Sequence, residues 1–148
     1  MSTVGTILDG KDGAIHAVSP TATAHEAVER MCRARVGALL VFDDDGLVGI
    51  VSERDIMTRV LLERRDLSMT RVMDIMSTGL AYIGLDAELT EAMELMTARR
   101  CRHLPVIEGD RVVGVVSMGD LVHWVTNRQE FEIRTLTEYV SGSFARAG

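Results

Sequence analysis

The chain has 148 residues and a formal net charge of −6 at pH 7. Hydrophobic residues make up 47% of it and charged residues 26%, which is typical of a folded globular chain and excludes disorder. The acidic balance and an aromatic content of 4% argue against nucleic acid and anionic membranes as partners. A small anionic ligand stays compatible with this charge, because one local cluster of arginines is enough to bind it.

Location and redox state follow from what the sequence lacks. No apolar run approaches the ~18 residues of a membrane span, and Met1–Gly5 shows no signal-peptide pattern. Cys32 and Cys101 have no metal-ligand spacing. We therefore expect a cytoplasmic protein with two reduced thiols and no required metal.

An internal repeat organises the sequence. When the chain is shifted by 65 residues, Thr21–Val60 aligns with Asp86–Val125 without a gap, and 15 of the 40 pairs are identical. Upstream, at a slightly different offset, Val4–Leu8 resembles Val72–Met76. We predict two copies of one unit, at residues 4–63 and 72–127, followed by a C-terminal helix at residues 128–141.

Each copy is predicted to run strand, helix, strand, strand, helix. The strands of the first copy are expected at 15–18, 38–42 and 47–52, and those of the second at 80–83, 103–107 and 112–117. The first helix of each copy has apolar residues at i, i+3, i+4 and i+7, beginning at Ala24 and Leu89. A second helix closes each copy, at 53–62 and at 118–127, and Thr23 with Glu26 is typical of a capping box.

The strands are apolar throughout, so both faces of each sheet are expected to be buried. The fold class is therefore α/β (α+β), with tandem β-α-β-β-α units related by a pseudo-two-fold axis and sharing one core through their sheets. Pro105, which cannot donate a ladder hydrogen bond, predicts an edge strand or a strand start.

Both copies contain the pattern Gly-x-x-Ser-x-x-Asp where a strand meets a helix, at Gly49–Asp55 and Gly114–Asp120. In one interpretation, the serine and aspartate only satisfy free N–H groups at the helix start. In the other, the helix start and serine bind phosphate, the carboxylate holds ribose hydroxyls, and the glycine lets the backbone approach a ligand. The pattern alone leaves both interpretations open.

The doubled unit resembles a CBS-domain pair, also called a Bateman module, over roughly residues 4–127. The resemblance rests on the two matched lead-in segments and on matched segments in each copy: Val36–Val41, Ile50–Asp55, Arg102–Val106 and Val115–Asp120. It implies two clefts between the copies for an adenine nucleotide: AMP foremost, or ADP, ATP, NAD or S-adenosylmethionine.

The resemblance also implies roles for individual residues. Asp55 and Asp120 would hold ribose hydroxyls, and Ser52 and Ser117 would contact phosphate or ribose. The remaining implied contacts are phosphate at Arg54, Arg102 and His103, and adenine at Ile15 and Leu80. The equivalents of Arg54, Arg102 and His103 in the other copy are Gly119, Gly37 and Ala38, so the two sites are expected to be unequal. Arg99 and Arg100 are expected to be solvated at a helix end, and the same interpretation stays open for Arg102 and His103 beside phosphate binding.

The resemblance implies a regulatory module that senses adenine nucleotides, forms a homodimer and acts on a separate, unidentified partner protein. The alternative is a dimeric scaffold that binds no ligand. No nucleophile–base pair, Walker loop or metal cluster is recognisable in the sequence, so we expect no enzymatic activity.

Overall fold

The computed structural model describes residues 2–11, 14–128 and 136–137. These residues contain two three-stranded sheets, one from each copy. The elements of the first copy are α1 (Val4–Asp9), β1 (Ala17–Val18), α2 (Ala24–Ala34), β2 (Ala38–Asp43), β3 (Gly46–Ser52), α3 (Glu53–Asp55) and a π-helix (Ile56–Leu61). Those of the second are α4 (Val72–Ile75), β4 (Ile83–Gly84), α5 (Leu89–Arg99), β5 (His103–Glu108), β6 (Arg111–Ser117) and α6 (118–128). Most of the predicted C-terminal helix at 128–141 lies outside the described residues.

The two sheets have the same topology. In each, a two-residue strand pairs in parallel with the central strand, and the central strand forms an antiparallel hairpin with the third: the orders are β1-β2-β3 and β4-β5-β6. This mixed α/β architecture with a repeated unit confirms the predicted fold class. The first strand of each copy is shorter than predicted, because pairing covers only Ala17–Val18 and Ile83–Gly84.

The first long helix of each copy begins and ends as its sequence dictates. Glu26 N–H donates to Thr23 Oγ1 at 3.1 Å and Thr23 N–H donates to Glu26 Oε2 at 3.3 Å, which confirms the predicted capping box. The two helices end at repeat-equivalent arginines in the left-handed conformation, Arg35 with φ 56° and Arg100 with φ 52°. A left-handed residue is a common helix terminator.

Pro105 lies in the central strand β5, so the predicted edge position is wrong, as is the predicted strand start. Its equivalent, Leu40, donates its N–H to His16 O at 3.0 Å, on the side of the parallel neighbour. Proline has no N–H for this bond, and the parallel ladder of the second copy accordingly begins one repeat position later, at Ile83–Val106 rather than at the equivalent of Ala17–Leu40. The proline is tolerated because the bond it lacks lies just before a very short ladder.

The buried side chains form two clusters rather than the single shared core predicted from the repeat. Val4 and Ile7 of α1 pack in the cluster of the second copy, and Val72 and Ile75 of α4 pack in that of the first. Backbone bonds fix this exchange: Val4 N–H donates to Ala87 O at 2.9 Å, and Val72 N–H donates to Ala22 O at 2.8 Å. Each copy therefore completes its core with the lead-in helix of the other.

The helix that closes the first copy differs from that of the second. Residues 56–61 form a π-helix, whereas 118–128 are α-helical. Arg59 of the π-helix donates to the carbonyl oxygens of Ile75 and Met76 at 2.9 and 3.0 Å, and so caps the C-terminal end of α4. Its repeat equivalent, Trp124, instead donates to Ser2 Oγ at 3.0 Å.

Candidate functional site

Two clefts lie between the copies, and each is lined by residues of both. The first, here the Asp120 cleft, has a volume of about 400 Å³ and joins the Ser117–Asp120 turn to residues 14–16 and 34–38 of the first copy. The second, here the Asp55 cleft, has a volume of about 650 Å³ and joins the Ser52–Asp55 turn to residues 77–81 and 99–103 of the second copy. A further hollow of about 690 Å³ beside α2 and β1 contains neither aspartate.

In the Asp55 cleft, the aspartate forms a capping box. Ser52 donates its N–H and its hydroxyl to Asp55 Oδ2 at 2.9 and 3.1 Å, and Asp55 N–H donates to Ser52 Oγ at 3.3 Å. The other oxygen, Oδ1, accepts the Ser77 hydroxyl at 3.3 Å and lies 3.8 Å from Arg59 Nε. Only 7% of Asp55 is exposed. Its carboxylate is thus held in one orientation by both copies.

In the Asp120 cleft, the capping box recurs and a lysine joins it. Asp120 Oδ2 accepts Ser117 N–H at 2.8 Å, and Asp120 N–H donates to Ser117 Oγ at 3.0 Å. Lys11 Nζ donates to the same Oδ2 at 2.8 Å and to Val115 O at 3.1 Å. Burial acts to raise the pKa of Asp120, but the hydrogen bonds and charge of Lys11, with those of Ser117, lower the pKa below its usual value. The carboxylate is therefore ionised and paired within the chain.

The two interpretations of Gly-x-x-Ser-x-x-Asp concern different atoms of the motif: capping is observed, and ligand binding stays a prediction. The serine and aspartate do cap the helix starts, as the structural interpretation predicts. Capping uses one carboxylate oxygen, Oδ2, in each copy, and within the described part of the chain no hydrogen bond reaches Asp120 Oδ1. A carboxylate can therefore cap its helix and still accept a ligand hydroxyl.

The glycine of the motif makes room for the lead-in segment of the other copy, and the expected close approach of a ligand to its backbone stays a prediction. A Cβ on Gly49 would lie 2.7 Å from Met76 Sδ and 2.8 Å from Ser77 O. A Cβ on Gly114 would lie 3.1 Å from Leu8 Cδ2. Both glycines thus admit the lead-in segment of the other copy, although Gly114 also lines the Asp120 cleft.

The structure places the predicted site residues in two groups. The Asp55 cleft brings together Ser52, Arg54, Asp55, Leu80, Arg102 and His103, and the Asp120 cleft brings together Ile15, His103, Ser117 and Asp120. Their roles toward a ligand stay predictions. His103 lines both clefts.

The charges of the two clefts differ. The Asp55 cleft is lined by four arginines (Arg54, Arg99, Arg100 and Arg102), whereas the Asp120 cleft has Lys11 and Arg35 as its cations. Arg99 and Arg100 are exposed, as expected, and they also line the cleft, where Arg99 Nη2 donates to Gly79 O at 3.4 Å. Since Glu53 and Asp55 offset two of the four arginines and Asp120 offsets one of the two cations, the Asp55 cleft keeps two positive charges in excess and the Asp120 cleft keeps one.

His103 lies between the two clefts beside Gly37. A Cβ on Gly37 would lie 3.5 Å from His103 Nε2 and would clash with the Glu53 carboxylate. Burial lowers the pKa of His103; Asp120 and Glu53 act to raise it, and Lys11 and Arg102 act to lower it. The net lowering of the pKa keeps the imidazole neutral near pH 7.

Lys11 and Ser77 are functional candidates that the repeat alignment does not include. Both follow the lead-in helices, where the offset between copies changes from 65 to 68 residues. Extending the Val4–Leu8 match at that offset would have placed Lys11 opposite Gly79, at the mouth of a cleft.

The described residues give no indication of a metal centre or a reactive thiol. They contain no group of three or more His, Cys, Asp or Glu side chains placed to hold a metal ion. Burial raises the pKa of the Cys101 thiol in the Asp55 cleft, which disfavours the nucleophilic thiolate. Within the same residues, no helix is both long and apolar enough to cross a bilayer.

Comparison with known proteins identifies the family. The CBS domain model matches residues 13–62 and 72–127. A mitochondrial CBS domain-containing protein of Arabidopsis thaliana is 35% identical over 127 residues, which cover 82% of this chain and 62% of that protein. The chain thus spans less than two thirds of this relative.

Solved structures agree with the family match. The structure of a protein with CBS domains from Burkholderia ambifaria has a TM-score of 0.81 and 39% identity, covering 84% of this chain and 93% of that one. A CBS domain protein of Pyrobaculum aerophilum, solved in complex with AMP, has a TM-score of 0.71 and 28% identity over 80% of this chain and 89% of that one. With both family matches lying on the two repeated units, this chain belongs to the CBS-domain proteins.

Proposed function

We propose that the chain is a regulatory module that binds adenine nucleotides in its two interdomain clefts and acts on a separate partner protein. One observation carries this proposal: each cleft sets a fixed aspartate at a helix start of one copy against the strand-entry segment of the other. The AMP complex of the Pyrobaculum relative supports the ligand class.

The geometry fits the parts of a nucleotide. Asp55 and Asp120 offer acceptor-only oxygens to the ribose diol. Leu80 and Ile15 supply apolar surface for adenine on the opposite wall of each cleft. Ser52, Ser117, His103 and the arginines 54 and 102 are the proposed phosphate contacts. Volumes of about 400 and 650 Å³ lie within the usual range for small-molecule sites.

The four arginines of the Asp55 cleft favour a nucleotide with several phosphates there, because arginine pairs readily with phosphate oxygens. The Asp120 cleft, with fewer cations and a smaller volume, suits AMP. Binding across a cleft would change how the two copies sit against each other, and a partner protein would sense that change.

A thermal-shift series with AMP, ADP, ATP, NAD and S-adenosylmethionine tests the proposal. A ligand present at 100 times its Kd should stabilise the protein by about 2.7 kcal/mol. Isothermal titration of Asp55→Ala and Asp120→Ala, made singly, should show about 10- to 100-fold weaker binding in the altered cleft, because each variant loses charged hydrogen bonds to ribose. Asp110→Ala, in an exposed turn outside both clefts, is the matched control.

Unchanged affinity in both aspartate variants would contradict the ribose assignment. The absence of any shift would favour the alternative, a ligand-free scaffold, for which the pairing of Asp120 with Lys11 is the supporting observation. ATP hydrolysis above background would contradict a purely binding role.

We also propose that the module is a homodimer. Large apolar side chains are exposed on and after the helix that closes the first copy: Met57, Leu61, Leu62, Met69 and Met73, between 46% and 78% exposed. Exposed large apolar side chains in such number are typical of a subunit interface, and a second copy of the chain presents the same residues. A solution mass of one chain would contradict this.

A further inference from the structure

The Lys11 ammonium contacts, in the Asp120 cleft, the equivalents of the two residues that Ser77 contacts in the Asp55 cleft, although it binds Oδ2 of the aspartate where Ser77 binds Oδ1. Ser77 donates its N–H to Ile50 O at 2.8 Å and its hydroxyl to Asp55 at 3.3 Å. Lys11 Nζ donates to Val115 O at 3.1 Å and to Asp120 at 2.8 Å. Ile50 and Val115 are repeat equivalents. A single side chain thus replaces a backbone contact and a hydroxyl contact.

The two arrangements differ in how easily they can open. Ser77 belongs to a backbone pair, since it also accepts Ile50 N–H at 3.0 Å. Lys11 follows α1, which continues to Asp9, whereas α4 ends at Ile75 before the chain becomes extended. The lysine side chain is 38% exposed. It can rotate away by giving up its bonds to Val115 O and Asp120, without breaking any bond between two backbone groups. The carboxylate of Asp120 is therefore paired with a cation that can move away.

That cation is paired with one oxygen, Oδ2, of the carboxylate that is proposed to hold the ribose. Lys11 lines the Asp120 cleft and occupies Oδ2, one of the two oxygens that a ribose diol needs. A nucleoside without phosphate would separate the ammonium from Asp120 and offer it no new anion. A nucleotide phosphate in the same cleft would offer one, since ammonium groups bind phosphate as point charges.

We propose that Lys11 makes the Asp120 cleft selective for phosphorylated nucleosides over the bare nucleoside. The ammonium stays paired with Asp120 until the phosphate of a ligand binds it instead. This selectivity rests on the proposed nucleotide binding. It adds a discriminating residue from the lead-in segment of the first copy.

Isothermal titration of adenosine and AMP into Asp55→Ala, in which the Asp120 cleft is the intact one, tests the proposal. Adding Lys11→Met should strengthen adenosine binding about two- to fivefold, the range for a partly exposed ion pair. AMP affinity should change by less than about twofold, because the gain from freeing Asp120 is offset by the lost phosphate contact. Lys11→Arg, which keeps the charge, should retain the preference for AMP.

Weaker or unchanged adenosine binding in Lys11→Met would overturn the proposal, as would an equal gain for both compounds. A ligand-free measurement separates this result from a failure of the proposed function: NMR titration of the Asp120 carboxyl should show a higher pKa in Lys11→Met. A raised pKa with no binding of either compound to any variant would mean that the ion pair exists but the cleft takes no nucleotide, so both proposals fail. An unchanged pKa with AMP still bound would leave the proposed function intact and refute the role of Lys11.

Discussion

The two clefts descend from one repeated unit, yet they hold their aspartates differently. Both aspartates form the same capping box with a serine three residues earlier. Around Asp55 the remaining contacts come from a backbone-paired serine and from Arg59, and the cleft is lined by four arginines. Around Asp120 a lysine supplies them, and the cleft holds fewer cations.

This difference shows which parts of a duplicated unit are free to diverge. The capping box cannot change without disturbing a helix start, so it is the same in both copies. The residues that face the cavity come from the lead-in segments and from the strand entries, where backbone geometry tolerates many side chains. Specificity is therefore expected to reside in Lys11 and Arg102, and in Arg54 at a variable position of the motif, rather than in the repeated glycine, serine and aspartate.

The largest expected contrast between the two halves concerns the motif glycines. Gly49→Ala should cost about 2 kcal/mol of the free energy of unfolding, because the new methyl group meets the Ser77 carbonyl and Met76 Sδ at less than 3 Å. Gly114→Ala should cost less than about 1 kcal/mol, since the new methyl group meets only the Leu8 side chain, which can shift. Urea unfolding of both variants measures the difference. Equal costs would mean that the two lead-in segments pack alike.

A smaller effect is expected from the unequal charges. Arg102→Ala should weaken ATP binding to the Asp55 cleft about five- to tenfold and leave adenosine binding unchanged, because the guanidinium is proposed to contact phosphate only. Titration calorimetry in an Asp120→Ala background measures this cleft alone. Arg111→Ala, an exposed arginine outside both clefts, is the control. Equal losses for ATP and adenosine would place Arg102 away from the phosphates.

The smallest expected effect is a pH dependence at His103. Because burial lowers its pKa in the folded protein, the unfolded chain binds the proton first. Stability should therefore fall as the pH drops below the ordinary histidine range, about 6.5. His103→Ala, which installs the residue found at the equivalent position 38, should make urea unfolding midpoints less sensitive to pH in that window. The same pH slope in both proteins would refute a buried neutral imidazole.

Much of the fold was predictable because the repeat and the helix caps are local signals. The aligned copies fix the element order, and Thr23 with Glu26 forms the expected capping box. The exchange of lead-in helices was not predictable, since Val4 and Val72 carry the same apolar pattern whichever copy they pack against. The π-helix at Ile56–Leu61 has no distinguishing residue pattern. The position of Pro105 was not predictable either, because it depends on which residues of β5 pair with the parallel strand β4.

The residue types of the candidate site were predictable from the sequence, but which residues of the two copies share a cleft was not. Residue types at Ser52–Asp55 and Ser117–Asp120 indicated where ligand chemistry could reside. Only the structure brings Asp55 and Leu80 into one cleft and Asp120 and Ile15 into the other, each pair drawn from both copies. Lys11 was missed because its role depends on how far α1 extends before the chain turns.

The exchanged lead-in helices have a consequence for how the chain comes apart. Val72 and Ile75 are fully buried in the first half, and Val4 is fully buried in the second, so a protein cut in the connection at residues 64–68 would leave each fragment with a missing piece of its own interior. Neither fragment alone could reach the stability of the intact protein, whereas the two fragments together could reassemble, each packing against the lead-in helix of the other. Each half thus depends on the other to complete its core, so heat or denaturant should unfold both halves in a single step.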